Sequence, residues 1–358
     1  QTGRTFEAEE ELLLSKRRDP EWRNRAAVTL LIGNLPEFEF SGPVLVMSEP
    51  LPDLTEALQS SGVDVTAWNR RAIGGGEAAP WPPAGPFCAA TLRLPRGREE
   101  LTMDLHAAAS GLRPGGVILV YGAKDEGIQG ALDSLEPLFR DAETLAIGGR
   151  CRVLRGIRRS ETPALRSSLD DWRTTVELDS PDLPSDWVSY PGVFAHGRLD
   201  GGTRFLLDTL PSVAPGARIL DYGCGSGVVG YVARGRGKDV VVEMSDVDTV
   251  ALEAAKENVR GRAVHLYDGL PPAKVGPFDA IFSNPPFHRG KAEDPEMIVS
   301  MIRGAPFLLR PWGVLVFVAQ RRLPVEGAVH RHFHEVSILA EDSTYRVWQG
   351  RRPRKGIG

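Results

Sequence analysis

Two stretches of this 358-residue chain carry the same series of landmarks. Gly85-Pro86-Phe87-Cys88-Ala89 is matched by Gly276-Pro277-Phe278-Asp279-Ala280, and Leu112-Arg113-Pro114-Gly115-Gly116-Val117-Ile118-Leu119-Val120 by Leu309-Arg310-Pro311-Trp312-Gly313-Val314-Leu315-Val316-Phe317. In both copies a Gly-Pro turn opens one apolar run and an Arg-Pro turn opens another, which points to a duplicated α/β unit. Chance similarity between two α/β units with the same strand and turn vocabulary is the alternative. Length agrees with two cores, as does a composition of 42% hydrophobic and 25% charged residues.

The alternation of elements is legible in the first copy. Glu9 to Arg18 runs from acidic through Leu12-Leu13-Leu14 to basic, the order that suits a helix dipole. Pro43 to Met47 reads as a buried strand, Asp53 to Ser60 as a helix, Val63 to Trp68 as a strand and Leu101 to Gly111 as a helix. Ile73 to Pro86, rich in Gly and Pro, reads as a surface loop. The boundaries expected are a non-catalytic domain over residues 1–157, a polar linker over 158–189 with Trp172 and Trp187 as anchors, and a second domain over 190–358.

The second copy holds what the first lacks. Ala217 to Asp221 is a short strand, followed by Tyr222-Gly223-Cys224-Gly225-Ser226-Gly227 and an apolar helix start at Val228. Strand, acidic residue, glycine turn and helix, in that order, let a ligand approach the backbone closely. The next strand ends at Asp246, where a carboxylate suits a ribose diol, and a third ends at Asp268, placed to accept from an adenine amino group or to cap a loop. A dinucleotide and S-adenosylmethionine both fit the glycine turn alone. Asp221 separates them, because a carboxylate there repels a pyrophosphate but pairs with the ammonium of a methionine moiety.

Asn284-Pro285-Pro286-Phe287 follows the apolar run Phe278 to Ser283, at a strand's carboxyl end where open α/β sheets bind ligands. The prolines remove two N–H donors and fix φ twice, leaving a stiff row of acceptors. The Asn284 side-chain oxygen and the Pro285 carbonyl can accept both hydrogens of one planar NH2 group, and Phe287 offers a face for a flat ring. A rigid Pro-Pro turn with an Asn cap is the simpler reading of four residues alone. The first copy has Arg93-Leu94-Pro95 at this position and Ser48-Glu49-Pro50 in place of the glycine cluster, so it has lost this chemistry.

Taken together, Asp221 to Gly227, Asp246, Asp268 and Asn284-Pro285-Pro286-Phe287-His288, preceded by Pro191-Gly192-Val193-Phe194 and Leu199-Asp200, resemble the ribosomal RNA guanine-N2 methyltransferases of the small-subunit methyltransferase C type. Tyr121 to Ile128 resembles the matching segment of that family's degenerate N-terminal half. The resemblance implies an α/β fold of two tandem Rossmann-like class I methyltransferase domains, each a seven-stranded mixed sheet, the N-terminal one degenerate. It implies an antiparallel edge strand at Tyr345 to Gly350, and methyl transfer from S-adenosylmethionine to the exocyclic N2 of a guanine in 16S ribosomal RNA. The N-terminal domain would serve folding and RNA recognition. The expected cofactor residues are Asp221, Gly223, Cys224, Gly225, Gly227, Asp246, Val247, Asp268, Gly269 and Asn284. The expected catalytic group is Asn284, Pro285, Pro286, Phe287 and His288, with His288 either orienting the base, accepting its proton or serving structure. Phe194, Arg198, Phe287, Arg321 and Arg322 are the expected substrate contacts.

One segment departs from the family. Val318-Ala319-Gln320-Arg321-Arg322-Leu323-Pro324-Val325 stands where the family commonly shows Val-Ala-Asn-x-x-Leu-Pro-Tyr. That departure bears on the exact base or its sequence context. Large-subunit guanine-N2 methylation is the alternative because those enzymes share the same motifs, and glutamine-amide methylation of a protein because Asn-Pro-Pro would serve it equally well. A non-catalytic assembly factor is disfavoured by the intact glycine cluster.

The net charge of -4 makes no global case for nucleic acid, so phosphate contact is left to local basic groups such as Arg321 and Arg322. Cys88, Cys151 and Cys224 lack metal spacing and read as reduced thiols. His330, His332 and His334 alternate, which puts them on one face of a strand, but with no further ligand cluster they read as a solvated basic segment. No metal and no membrane span are expected. The partner expected is ribosomal RNA or the small subunit, the state a monomer, and the compartment the cytoplasm. The chain begins at Gln1, so an organelle is the alternative if a targeting segment has been removed.

Overall fold

The computed structural model describes residues 21–73, 77–260, 263–285, 288–289, 292–293 and 295–355. The helix expected at Glu9 to Arg18, and Pro286 and Phe287 of the expected catalytic group, lie outside the described residues. The chain divides into two compact units between Asp171 and Trp172.

The first unit contains α1 (Trp22–Asn34), β1 (Val44–Met47), α2 (Asp53–Ser60), β2 (Val65–Asn69), β3 (Glu77–Ala78), β4 (Phe87–Arg93), α3 (Arg98–Gly111), β5 (Leu112–Ala123), α4 (Leu132–Leu135), β6 (Phe139–Gly148) and β7 (Cys151–Arg158). Its seven strands lie in the order β3-β2-β1-β4-β5-β7-β6. β7 runs antiparallel to both of its neighbours. Every residue of β1 and of β4 is buried, including Thr91 and Arg93 of β4, as central strands in the parallel part of a sheet are when both faces are covered.

The second unit opens with a small antiparallel pair, β8 (Thr174–Val176) and β9 (Trp187–Ser189), inside the segment 158–189. It continues through α5 (Gly201–Thr209), β10 (Arg218–Tyr222), α6 (Val228–Ala233), β11 (Val241–Asp246), α7 (Thr249–Asn258), β12 (Ala263–Leu266) and β13 (Phe278–Ser283). The short pair β14 (His288–Arg289) and β15 (Ala292–Glu293) precedes α8 (Pro295–Leu308), β16 (Leu309–Gln320), α9 (Glu326–His332), β17 (Phe333–Glu341) and β18 (Tyr345–Pro353). The sheet order is β12-β11-β10-β13-β16-β18-β17. Neighbouring residues go to opposite faces, as the two-residue period requires: Ile219, Phe282 and Val316 pack on one side, Leu220, Ile281 and Leu315 on the other.

The two sheets share their order of strands and also their defects. In the first unit the register of β4 on β5 shifts between Phe87 and Ala89, and in the second that of β13 on β16 shifts between Phe278 and Ala280. Gly85 and Gly276 sit at the same place before these strands. A Cβ would fall 1.9 Å from the Gly111 carbonyl oxygen in one and 2.8 Å from that of Leu308 in the other, so neither position admits a side chain without movement. Shared irregularities of this kind support duplication over chance likeness, and the two seven-stranded α/β sheets are those the resemblance implies.

Two sequence expectations need correction. The antiparallel strand at Tyr345 to Gly350 exists as β18 but is not an edge: it pairs with β16 on one side and β17 on the other. The edge is β17, which sequence reading missed because most of its residues are exposed and it has no apolar run. The alternating histidines do not share a strand face either. His330 and His332 lie in α9 and His334 in β17, with His332 buried and the other two exposed.

Candidate active site

β10 is the first strand of its sheet in chain order, and β11 and β13, both parallel to it, flank it on opposite sides. The crevice at their carboxyl ends is the switch point where such sheets bind ligands. A cleft at this point is lined by Gly223, Cys224, Gly225 and Ser226 of the glycine turn, by Asn284 after β13, and by Phe194, Arg198, Asp200 and Thr203. Residues far apart in the chain, all from the second unit, thus meet around one opening.

The turn is held by its own backbone. Gly223, Gly225 and Gly227 have φ of 67°, 53° and 91°, which L side chains rarely adopt. The N–H groups of Gly223 and Cys224 donate to the Ser245 carbonyl at 2.8 and 3.0 Å. Asp246 braces the turn from the side: its Oδ2 accepts from the Gly225 N–H at 2.8 Å and its Oδ1 from the Asp248 N–H at 2.9 Å. Burial, with the Asp248 charge added, raises the Asp246 carboxyl above the usual carboxylate range.

Asp221 does not line the cleft. It is buried, with Oδ2 accepting from the Gly230 N–H of α6 at 2.7 Å. Its Oδ1 has no partner, and burial pushes the carboxyl up to about 7. A buried carboxylate oxygen without a donor is costly, and an arriving cation would relieve it. Asp268 is exposed beside Gly269, and Val247 is half-buried after Asp246. Four aspartates, 221, 246, 248 and 268, therefore surround the turn, a field that favours a positively charged ligand over a pyrophosphate. These features fit S-adenosylmethionine: a backbone turn open to close approach, an orphaned acceptor, and carboxylates at the ends of consecutive strands.

Across the cleft Asn284 is half-buried, and its Nδ2 donates to Asp200 Oδ2 at 3.0 Å and Thr203 Oγ1 at 2.9 Å. Pro285 is buried, and the preceding Ser283 ties down β13 by donating to the Tyr222 carbonyl at 2.7 Å. The backbone of His288 lies in β14, whereas its side chain lies outside the description. Phe194 is 61% exposed on the wall of the cleft, where a flat ring can rest on it. Arg198 is exposed. Arg321 and Arg322, exposed after β16, do not line the cleft, and Arg321 pairs with Glu341 at 3.2 Å.

Several roles at the site were missed in sequence, where Trp187 was expected only as an anchor of the segment 158–189. Trp187 of β9 donates to Ser226 Oγ at 2.9 Å and stacks edge-on against Tyr231 at 5.5 Å. Asn258, at the end of α7, accepts from Val188 N–H at 2.8 Å and donates to the carbonyls of Val188 and Ser226 at 2.9 and 3.0 Å. Together they strap β9 to the glycine turn. Asp200 was visible only as part of Leu199-Asp200, although an Asp ahead of a helix is a standard cap signal; here its Oδ2 caps α5 through the Thr203 N–H at 3.1 Å.

The same places in the first unit are filled by its own side chains. Ser48, with φ of 58°, and buried Glu49 replace the turn, and Glu49 accepts from the Leu51 N–H and the Tyr121 hydroxyl. Arg93, at the position of Asn284, is buried and donates to both oxygens of Glu126 at 2.8 Å and to Asn24 Oδ1 at 3.1 Å.

Residues 185–349 match the family model described as methyltransferase small domain. The chain is 31% identical over 333 residues to ribosomal RNA small subunit methyltransferase C of Hahella chejuensis, covering 88% of this chain and 95% of that one. It is 30% identical over 324 residues to the protein of the same name from Pseudomonas syringae pv. syringae, covering 88% and 96%. Among solved structures it resembles the T. thermophilus 16S rRNA N2 G1207 methyltransferase in complex with AdoMet and guanosine, with a TM-score of 0.76, 23% identity and 91% of each chain covered. At that identity the likeness bears on the fold.

Proposed function

The chain belongs to the ribosomal RNA small subunit methyltransferase C family, and from that premise we propose that it methylates the exocyclic N2 of a guanine in 16S ribosomal RNA, using S-adenosylmethionine. The observation that carries the reading is one cleft lined both by the glycine turn and by Asn284. On this reading the cofactor site and the amine-binding acceptor share that one cleft.

In this reading the turn from Gly223 to Gly227 and the carboxylates of Asp221, Asp246 and Asp268 hold the cofactor, with Val247 and Gly269 beside them. The cofactor, when bound, supplies a methyl group on a positively charged sulfur. Asn284 Oδ1 and the Pro285 carbonyl accept the two hydrogens of the guanine amine and turn its lone pair out of the ring plane. Catalysis is then mainly positioning in a closed site. Proton loss follows methylation, so no strong base is required. Phe194 and Phe287 supply stacking faces, Arg198, Arg321 and Arg322 phosphate contacts, and His288 a contact to the base. A guanine within a helix cannot present N2 to such a cleft, so the substrate strand is single or the base flipped.

Residues 1–157 are assigned to folding and RNA recognition and 190–358 to catalysis; of the segment 158–189 expected as the connection, the part from Trp172 onward belongs to the second unit, where β9 braces the glycine turn. The residues that line the cleft all come from the second unit of one chain, which supports a monomer. Its likeness to bacterial enzymes named for small-subunit ribosomal RNA supports a cytoplasmic setting. The test is transfer of radiolabelled methyl groups to small and large ribosomal subunits and to deproteinised RNA from each, with Asn284→Ala alongside. Label in small-subunit RNA that disappears with the variant supports the proposal. Label in large-subunit RNA alone moves the substrate to 23S. Label in protein, or in nothing despite cofactor binding, overturns it.

A further inference from the structure

Asn284 meets two groups whose chemistry settles which way its amide faces. Asp200 carries a carboxylate, which accepts hydrogen bonds and donates none, so the Asn284 atom 3.0 Å away must be the nitrogen. The second hydrogen of the same NH2 group goes to Thr203 Oγ1 at 2.9 Å. Both donors are thereby used inside the protein, and the side chain offers its surroundings Oδ1 alone. A Cβ added at Gly202 would stand 3.5 Å from that oxygen, an ordinary van der Waals contact.

We infer that Asp200 and Thr203 are positioning residues that lock the Asn284 amide so that Oδ1, an acceptor, is the side-chain atom left for a ligand, and so make the cleft selective for a nucleophile that donates hydrogens. This rests on the reading of Asn284 as the amine acceptor. A free Asn can rotate its amide and present a donor instead, which would suit a ring nitrogen or the guanine O6 and misalign N2. The lock removes that alternative before substrate arrives. Asp200 reaches the task from the N-cap of α5 and Thr203 from its first turn, where the Thr203 N–H also donates to Asp200 Oδ2 at 3.1 Å. The start of one helix therefore sets the polarity of a side chain more than eighty residues away in the chain.

The test pairs kinetics with a reading of the amide itself. Thr203→Val keeps the shape of a buried residue and removes the acceptor, and Asp200→Asn keeps a helix cap but no longer dictates the flip. Each should lower kcat for methyl transfer by about 10- to 100-fold, the range expected when a reacting group is misaligned. The cofactor Kd should be unchanged, and Thr203→Ser should restore activity to within about 3-fold because it returns the hydroxyl. In protein labelled with 15N-asparagine, the Asn284 side-chain NH2 signals, assigned by Asn284→Ala, should exchange slowly with solvent in the wild type. They should shift and exchange faster in Thr203→Val. Unchanged NH2 signals in Thr203→Val overturn the lock, as does an unchanged kcat. If the wild type methylates no RNA, the functional reading fails on its own, and the NH2 signals still decide whether the amide is locked.

Discussion

Asp221, buried, and Asn284, half-buried, show how much a single polar group can be asked to do. The Asp221 carboxyl is held at about 7, against about 4 for an exposed aspartate. A folded value above the unfolded one means that its stabilising contribution is complete below about pH 4 and is lost as pH rises through about 7. The total is on the order of 4 kcal/mol. Urea midpoints from pH 4 to 8 should therefore fall more steeply for the wild type than for Asp221→Asn; parallel curves would show that the buried carboxyl is not the cause. A positive charge bound at the glycine turn in front of Asp221 lowers the same value. Cofactor binding near pH 7 should then release a proton in the wild type and not in the variant, as seen by calorimetry in buffers of different ionisation enthalpy. Sequence marked both residues, because an acid after a strand and an Asn before two prolines are local patterns. It could not mark Thr203 as Asn284's partner, since that contact depends on a helix 81 residues away in the chain folding back to it.

Elements were legible in proportion to how deeply both of their faces are buried. β1, β4, β10 and β13 sit inside parallel sheets and read as apolar runs. β17 is an edge with solvent on much of its surface, and β8 and β9 are three residues each, too short for any period to emerge. Yet β9 matters to the site, because Asn258 and Trp187 fasten it over the glycine turn. Asn258→Ala strands three backbone groups, and each unmet group costs about 1–3 kcal/mol if it stays dry. We expect a loss of about 2–4 kcal/mol in unfolding free energy and a weaker cofactor Kd. A variant of unchanged stability and affinity would mean that the strap is ornamental. Gly85→Ala tests the shared turn geometry in the first unit. With a Cβ only 1.9 Å from the Gly111 carbonyl oxygen, overpacking of about 1–3 kcal/mol or more should appear in its urea midpoint.

For the entire chain, duplication was readable because the copies kept the turns that their sheets need while one of them lost its site. Arg93 with Glu126, and Glu49 with Tyr121, fill the space at the carboxyl ends of β1 and β4 that the second copy leaves open. Titration calorimetry should accordingly find one S-adenosylmethionine per chain; two equivalents would contradict the assignment of a single site. The central claim is that the cleft selects an exocyclic amine on guanine, and nucleoside analysis after reaction tests it most directly. Small-subunit RNA methylated with a 13C-methyl cofactor, digested and separated by mass spectrometry, should carry the label as N2-methylguanosine and in no other nucleoside. Label on a guanine ring nitrogen, on a ribose, or on adenine would contradict it.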